Sequence, residues 1–270
     1  MRFRIDLAYD GTDFSGWASQ PGLRTVQGEL ETWLPRVLRL AGPTPLTVAG
    51  RTDAGVHAKG QVAHVELPDE TNPSVLTRRL QRVLPADLTI WSIGPAPPGF
   101  DARFSAIWRR YCYRLTDRPL DPLQRHQVTV VREPLDLPAM NAAGQSLLGL
   151  RDFAPFCRRR EGASTIRTLT ELSASRTETG VVELTVRADA FCHSMVRSLT
   201  GALVAVGQGR RDLTWLSEVA ASPLRPSSIQ VMAAGGLTLE EVGYPPAADL
   251  ADRAETARAR RDPRELNCHG

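Results

Sequence analysis

Hydrophobic and polar residues alternate from the third position onward. Phe3, Ile5, Leu7 and Tyr9 fall on one face, and Arg4, Asp6 and Ala8 on the other. This period of two predicts a half-buried strand. The pattern then changes to a helical one, with Thr25 as candidate N-cap and Val26, Leu30, Trp33, Leu34, Val37 and Leu38 on one face. Pro35 lies inside that pattern and is expected to kink or end the helix. Thr47-Val48-Ala49 leads into a glycine-rich loop, and residues 61–67 leave it as a strand. A second helix is expected from about Pro73 to Leu84, with Leu76, Leu80, Val83 and Leu84 facing inward.

The second half repeats this mixture. Residues 111–115 read as a strand, and residues 138–148 as a helix with Met140, Ala143, Leu147 and Leu148 apolar. Residues 181–188 alternate as a further strand, followed by helices from about Cys192 to Val206 and from Leu213 to Ala221. Strands and helices without regular βαβ alternation predict an α+β fold with antiparallel strands. Two segments stand apart. Phe156 to Ser164, containing Arg158-Arg159-Arg160-Glu161, reads as a mobile charged loop. Residues 247–270 are rich in Ala, Arg, Asp and Glu, and are expected to be a frayed helix or disordered.

A chain of 270 residues with 42% hydrophobic residues can bury one large core or two smaller ones. Its net charge is only +3, but Lys59 is the one lysine among 33 basic residues. Arginine grips phosphate bidentately and stacks on bases. Genome-wide composition explains part of this bias. The clusters Arg78-Arg79, Arg109-Arg110, Arg158-Arg159-Arg160 and Arg210-Arg211 are the sharper clue to a phosphate-binding surface.

Cys112, Cys157, Cys192 and Cys268 form no CxxC pair, so no zinc site is expected. They are read as reduced cytosolic thiols, with Cys112 and Cys192 packed as small apolar groups. His57 and His64 lack a third ligand at suitable spacing and are read as structural or RNA-contacting. No apolar run approaches the ~20 residues of a membrane span. Met1 to Asp6 already reads as a strand, so no signal segment is expected.

Ala49 to Ala58 is the most informative stretch. It sets Asp53 between Arg51 and Gly55, with small residues around them. Glycine allows positive φ and close approach of a bulky ligand. A tight Asp-Gly turn would use the same residue types, so local spacing leaves both readings open.

The run Gly50-Arg51-Thr52-Asp53-Ala54-Gly55-Val56-His57-Ala58, followed by Gly60-Gln61-Val62-Ala63-His64, resembles the signature of the tRNA pseudouridine synthase A family. Further blocks occur in the same order: Tyr9 to Trp17, Thr25 to Leu30, Phe100 to Ala106 with Arg109 to Tyr113, Ala190 to Arg197, and Gly236 to Pro245. The resemblance spans roughly residues 3–246. It implies a pseudouridine synthase fold with two pseudo-symmetric subdomains, residues 1–106 and 107–246. These would share a mainly antiparallel sheet with flanking helices and a central RNA-binding cleft.

The implied reaction breaks the N1–C1′ bond of a uridine at tRNA positions 38 to 40, rotates the base, and joins C5 to C1′. The resemblance makes Asp53 the catalytic carboxylate, by attack at C1′ or by removal of a sugar proton. Tyr111 is implied as the substrate-contacting tyrosine, although Tyr113 shares its strand face. Arg197 is expected as the cationic partner of Asp53, on one helix face with His193. Arg51 is expected to occupy the space of the displaced base, hold a phosphate, or stabilise the turn through an ion pair. The family implies a homodimer acting on tRNA in the cytoplasm, without metal or cofactor. Ala18, Ser194 and the run Ser227 to Ala234 depart from the family pattern.

Overall fold

The computed structural model describes residues 1–160 and 162–258. In chain order it begins with β1 (Arg2–Tyr9), α1 (Val26–Leu38), β2 (Thr47–Val48), β3 (His57–Glu66), α2 (Pro73–Val83) and β4 (Leu88–Pro95). It continues with β5 (Trp108–Thr116), β6 (Thr129–Val130), α3 (Leu137–Ser146), β7 (Gly149–Asp152), β8 (Ile166–Arg176) and β9 (Val182–Ala188). Helices α4 (Met195–Gly207) and α5 (Leu213–Ala220), strand β10 (Leu237–Gly243) and helix α6 (Leu250–Arg258) complete it. The architecture is α+β. The described chain divides into two compact units: Met1–Arg109 with residues 239–258, and Arg110–Thr238.

In the first unit the strand order is β4-β1-β3-β10, with β2 against β3. β1 runs antiparallel to both neighbours, Ile5 facing Ala63 on β3 and Ile93 on β4. Its alternation works as the sequence suggests: Phe3, Ile5 and Leu7 are fully buried. Helices α1 and α2 pack on each other, adding Leu30, Leu34, Leu76 and Leu80 to the core. Pro35 does not end the helix: α1 runs through it to Leu38. Proline there removes only the bond to the Glu31 carbonyl. The helix ends beyond it at Arg39, whose φ is 57°.

The C-terminal segment forms a helix, as one of the two expectations had it, but α6 is packed rather than frayed. Leu250 and Ala254 of α6 are buried. The Ser105 hydroxyl donates to the Leu250 carbonyl at 3.0 Å, and Arg258 pairs with Asp101 at 3.3 Å. The charged surface of the segment hides these two inward residues. Positions 259–270 lie outside the described residues.

The second unit has the strand order β5-β9-β8-β7, with β6 parallel to the end of β5. β8 and β9 pair Leu172 with Val186 and Ala174 with Leu184, after a register shift between Leu169 and Glu171. α3 packs on β8 and on α4, and α4 is buried along nearly its whole length. The close packing uses glycine: a side chain at Gly144 would lie 2.3 Å from the Leu172 carbonyl oxygen.

Two further expectations need correction. Cys157 and Cys192 are joined as a disulfide, their Cα atoms 5.8 Å apart, although 35 residues separate them. The fold brings together thiols that linear spacing keeps apart; Cys112 is buried and lies outside this pair. The charged segment is also anchored at its start, where Phe156 and Cys157 are buried and the Arg158 amide donates to the His193 carbonyl at 2.9 Å.

Arg176 clamps Asp117 with two bonds of 2.8 Å, and the Leu135 amide adds a third donor at 2.9 Å. The guanidinium holds the Asp117 carboxyl at about 2, below its ordinary 3.8. Such a group contributes stability that is complete above its unfolded pKa and is lost as pH falls through the folded one. The protein should therefore lose about 2 kcal/mol of stability from this group between pH 4 and pH 2. Denaturant unfolding of D117N should start from lower stability and show a flatter acid limb.

Candidate active site

Asp53 sits half-buried in the connection from β2 to β3. Its carbonyl accepts from the Val56 amide at 3.1 Å, and Gly55, at φ 77°, closes the turn. A second loop, Gly11 to Trp17, grips this turn from both sides. The Trp17 amide donates to the Thr52 carbonyl at 3.0 Å, and the Gly55 amide to the Phe14 carbonyl at 3.2 Å. The Gly11 amide donates to His57 Nδ1 at 2.9 Å.

Only glycine permits so close a contact. A Cβ on Gly11 would lie 2.1 Å from the Val56 oxygen, and one on Gly16 would lie 2.8 Å from the Thr52 oxygen. Gly16 also has φ +88°, which favours glycine.

The gripping loop is itself anchored. The Gly16 carbonyl accepts from the Val26 amide at 3.2 Å, tying it to the start of α1. Arg24 receives Phe14 beneath its guanidinium, 4.1 Å from the ring centroid, and pairs with Asp87 through two bonds of 2.7 and 2.8 Å. On the approach to Asp53, Gln61 Nε2 donates to the Gly50 carbonyl at 2.9 Å, and Arg109 Nη2 to the Ala49 carbonyl at 2.8 Å.

Arg51 is exposed. Tyr111 and Arg197 lie in the second unit. Tyr111 is buried and meets Phe191 edge-on, at 5.1 Å between centroids and 85° between planes. Tyr113 plays a different part. Its hydroxyl donates to the Ala233 carbonyl at 2.7 Å and lies 2.9 Å from Thr129 Oγ1. Burial pushes its phenol up to about 12. Tyr113 is therefore a core residue, a distinction that alternation could not make.

Arg197 Nε donates to the Met232 carbonyl at 2.6 Å, and the Met232 amide returns a bond of 3.2 Å. His193 does not share its helix face, because α4 starts only at Met195, after Ser194 at φ 64°. Arg109 also differs from expectation. It is buried, and Nη2 donates to both Ala49 and Arg103 carbonyls, at 2.8 and 2.7 Å.

His57 and His64 each accept from a backbone amide. His64 accepts from the Ala102 amide at 2.9 Å, and burial lowers its pKa, which favours the neutral ring that can accept. His57 Nδ1 lies between the Gly11 amide and the Asp10 carboxylate, at 2.9 and 3.0 Å. Among the described residues no group of three or more His, Cys, Asp or Glu could hold a metal ion.

Residue types and periodicity alone point to no site role for Tyr9, Gln61, Gly11 or Gly16. Tyr9 shares its face with Phe3, Ile5 and Leu7 and so reads as core. A local signal did exist for the glycines, which bracket the polar, aromatic run Thr12 to Ser15.

Replacing Gly11 by Ala should destabilise the protein by about 1–3 kcal/mol through overpacking. Gly42 is the control: its Cβ would meet nothing within 4 Å. Chemical denaturation should give a lower midpoint for G11A and little change for G42A. Equal midpoints would mean that the two loops separate freely.

Residues 143–245 match the family described as tRNA pseudouridine synthase. The tRNA pseudouridine synthase A of Cutibacterium acnes is 64% identical to this chain, over 98% of the chain and 96% of its own length. Those of Frankia casuarinae and Streptomyces griseus are 56% and 55% identical, over 97% and 96% of the chain, and over 96% and 93% of their own lengths.

Proposed function

This chain belongs to the tRNA pseudouridine synthase A family, and from that premise we propose that Asp53 is the catalytic carboxylate that isomerises uridine to pseudouridine at tRNA positions 38 to 40. The coarser activity, isomerisation of uridine in tRNA, follows from family membership itself. The observation that carries the assignment is the bracing of the Asp53 turn by Trp17, Phe14 and Gly11. A solvated turn has no need of such support.

The chemistry balances within the substrate. The N1–C1′ bond breaks and uracil leaves with its electron pair. C1′ becomes electron-poor, and the Asp53 carboxylate meets that need, much as the carboxylate of a retaining glycosidase does. The base rotates, C5 bonds to C1′, C5 loses its proton and N1 gains one. Nothing is oxidised or reduced, so the proposed reaction requires no cofactor.

Tyr111 supplies an aromatic surface for a uracil taken out of its stack. Arg51 and Arg197 serve as cationic substrate contacts, Arg51 by filling the vacated base position or holding phosphate. A tRNA substrate fits a cytoplasmic location. The family resemblance also supports a homodimer.

Anticodon stem-loop RNA labelled with [5-³H]uridine tests the core of this reading. The protein should release tritium without added cofactor, and D53A should bind the RNA but release none. Release by D53A at the normal rate would remove Asp53 from the chemistry. Light scattering at micromolar concentration should give twice the chain mass, and a monomer would remove the dimer.

A further inference from the structure

Behind Asp53 lies a buried polar chain that the reaction scheme leaves unused. Tyr9, at the end of β1, is 4% exposed, Gln61 on β3 is 0% and Thr52 is 7%. Gln61 Nε2 lies 2.9 Å from the Gly50 carbonyl and 3.1 Å from the Tyr9 hydroxyl. The Tyr9 hydroxyl in turn lies 2.7 Å from Thr52 Oγ1.

The direction of these bonds follows from their neighbours. The Gly50 carbonyl can only accept, so the Gln61 amide nitrogen must face it. At its other end Gln61 Oε1 accepts from the Val62 amide at 3.2 Å, which fixes the same orientation. The amide therefore donates one proton to Gly50 and the other to the Tyr9 oxygen. The phenol proton needs an acceptor, because a buried donor left unpaired costs about 1–3 kcal/mol. Thr52 Oγ1 is that acceptor. Burial pushes the Tyr9 phenol up to about 12, so it keeps its proton at neutral pH. The Thr52 hydroxyl thus receives a bond from Tyr9 and retains its own proton for another partner. Among the described residues it has no second hydrogen-bond partner.

We propose that Thr52 is a further working residue of the site, donating to the oxygen of the reacting nucleotide that gains negative charge as the N1–C1′ bond breaks. Tyr9 and Gln61 are positioning residues that hold the Thr52 oxygen as an acceptor and leave its proton for the substrate. The inference rests on the assignment of Asp53 as the catalytic carboxylate. A donor held ready for charge that develops only in the transition state acts on rate more than on binding.

Single-turnover tritium release, RNA affinity and denaturant unfolding should be measured for T52V, T52S, Y9F, the double variant T52V/Y9F, and D53A. T52V should slow release about 10- to 100-fold, the range for a hydrogen bond to a charged group. Its RNA Kd should stay within about two-fold of wild type, because the bond forms mainly in the transition state. T52S keeps the hydroxyl and should stay within about three-fold of the wild-type rate. Y9F alone should slow release, but should add little in the T52V background, because the two act through one donor. A wild-type rate for T52V with D53A inactive would overturn the relay and leave Asp53 in place. Release by D53A would overturn the assignment beneath it. A loss of rate in T52V that tracks lost stability, and is not restored in T52S, would make the chain structural only.

Discussion

The contact between two backbones, Gly11 to Trp17 against Thr52 to His57, is the constraint on which the site depends. Loops are the softest parts of most folds. Here the loop bearing Asp53 borrows rigidity from regular structure through short links. Gly16 ties the partner loop to the start of α1, and the Arg24–Asp87 pair ties it to the start of β4. The contact exists because side chains are missing where the backbones meet, at Gly11 and Gly16. Removing Cβ atoms there costs conformational entropy in the unfolded chain. In return, amides and carbonyls of the two loops pair directly.

The same contact dictates what lies beneath it. A turn held this close to β1 and β3 buries polar atoms, and each must find a partner or destabilise the fold. Tyr9, Gln61, His57, His64 and Arg109 meet that demand by bonding to backbone groups or to each other. Such a network is cooperative: removing one member leaves others unpaired. Alternative positions of the turn would break several bonds at once. The polar network below the loop therefore favours one position of the turn.

Much of this was legible in the sequence, and the failures have identifiable causes. β1 and α1 were readable because one face of each is buried, which leaves clean periods in the chain. β8 was not, because its buried residues Ile166, Leu169, Leu172 and Ala174 straddle a register shift that breaks the period of two. Its inward spacing imitates a helix as well as a strand. The start of α4 was misplaced for a similar reason. Ser194 adopts a positive φ that local composition does not announce, and this puts His193 outside the helix. Asp53, Arg51, Tyr111 and Arg197 stand out in the sequence through family-like motifs rather than through periodicity. The supports of Asp53 escaped notice because a tyrosine on an apolar face and a glutamine in a strand look like ordinary packing. Their roles depend on which atoms meet across 43 and 52 residues of chain.

Arginine illustrates why composition alone misleads. Arg78, Arg79, Arg158, Arg159, Arg160, Arg210 and Arg211 are exposed, and remain available to a phosphate backbone. Arg109 belongs to an equally basic doublet but has the opposite role. One of its nitrogens donates to the carbonyls of Ala49 and Arg103, so the guanidinium joins the approach to Asp53 to the segment before β5. That role uses the flat, fixed fork of arginine, whose donors keep their relative directions. A lysine ammonium would bring the same charge on a flexible stem, without the plane that aims at two carbonyls. Burial separates the two uses. The exposed arginines act through charge, which salt screens, whereas Arg109 acts through geometry in a place that salt does not reach.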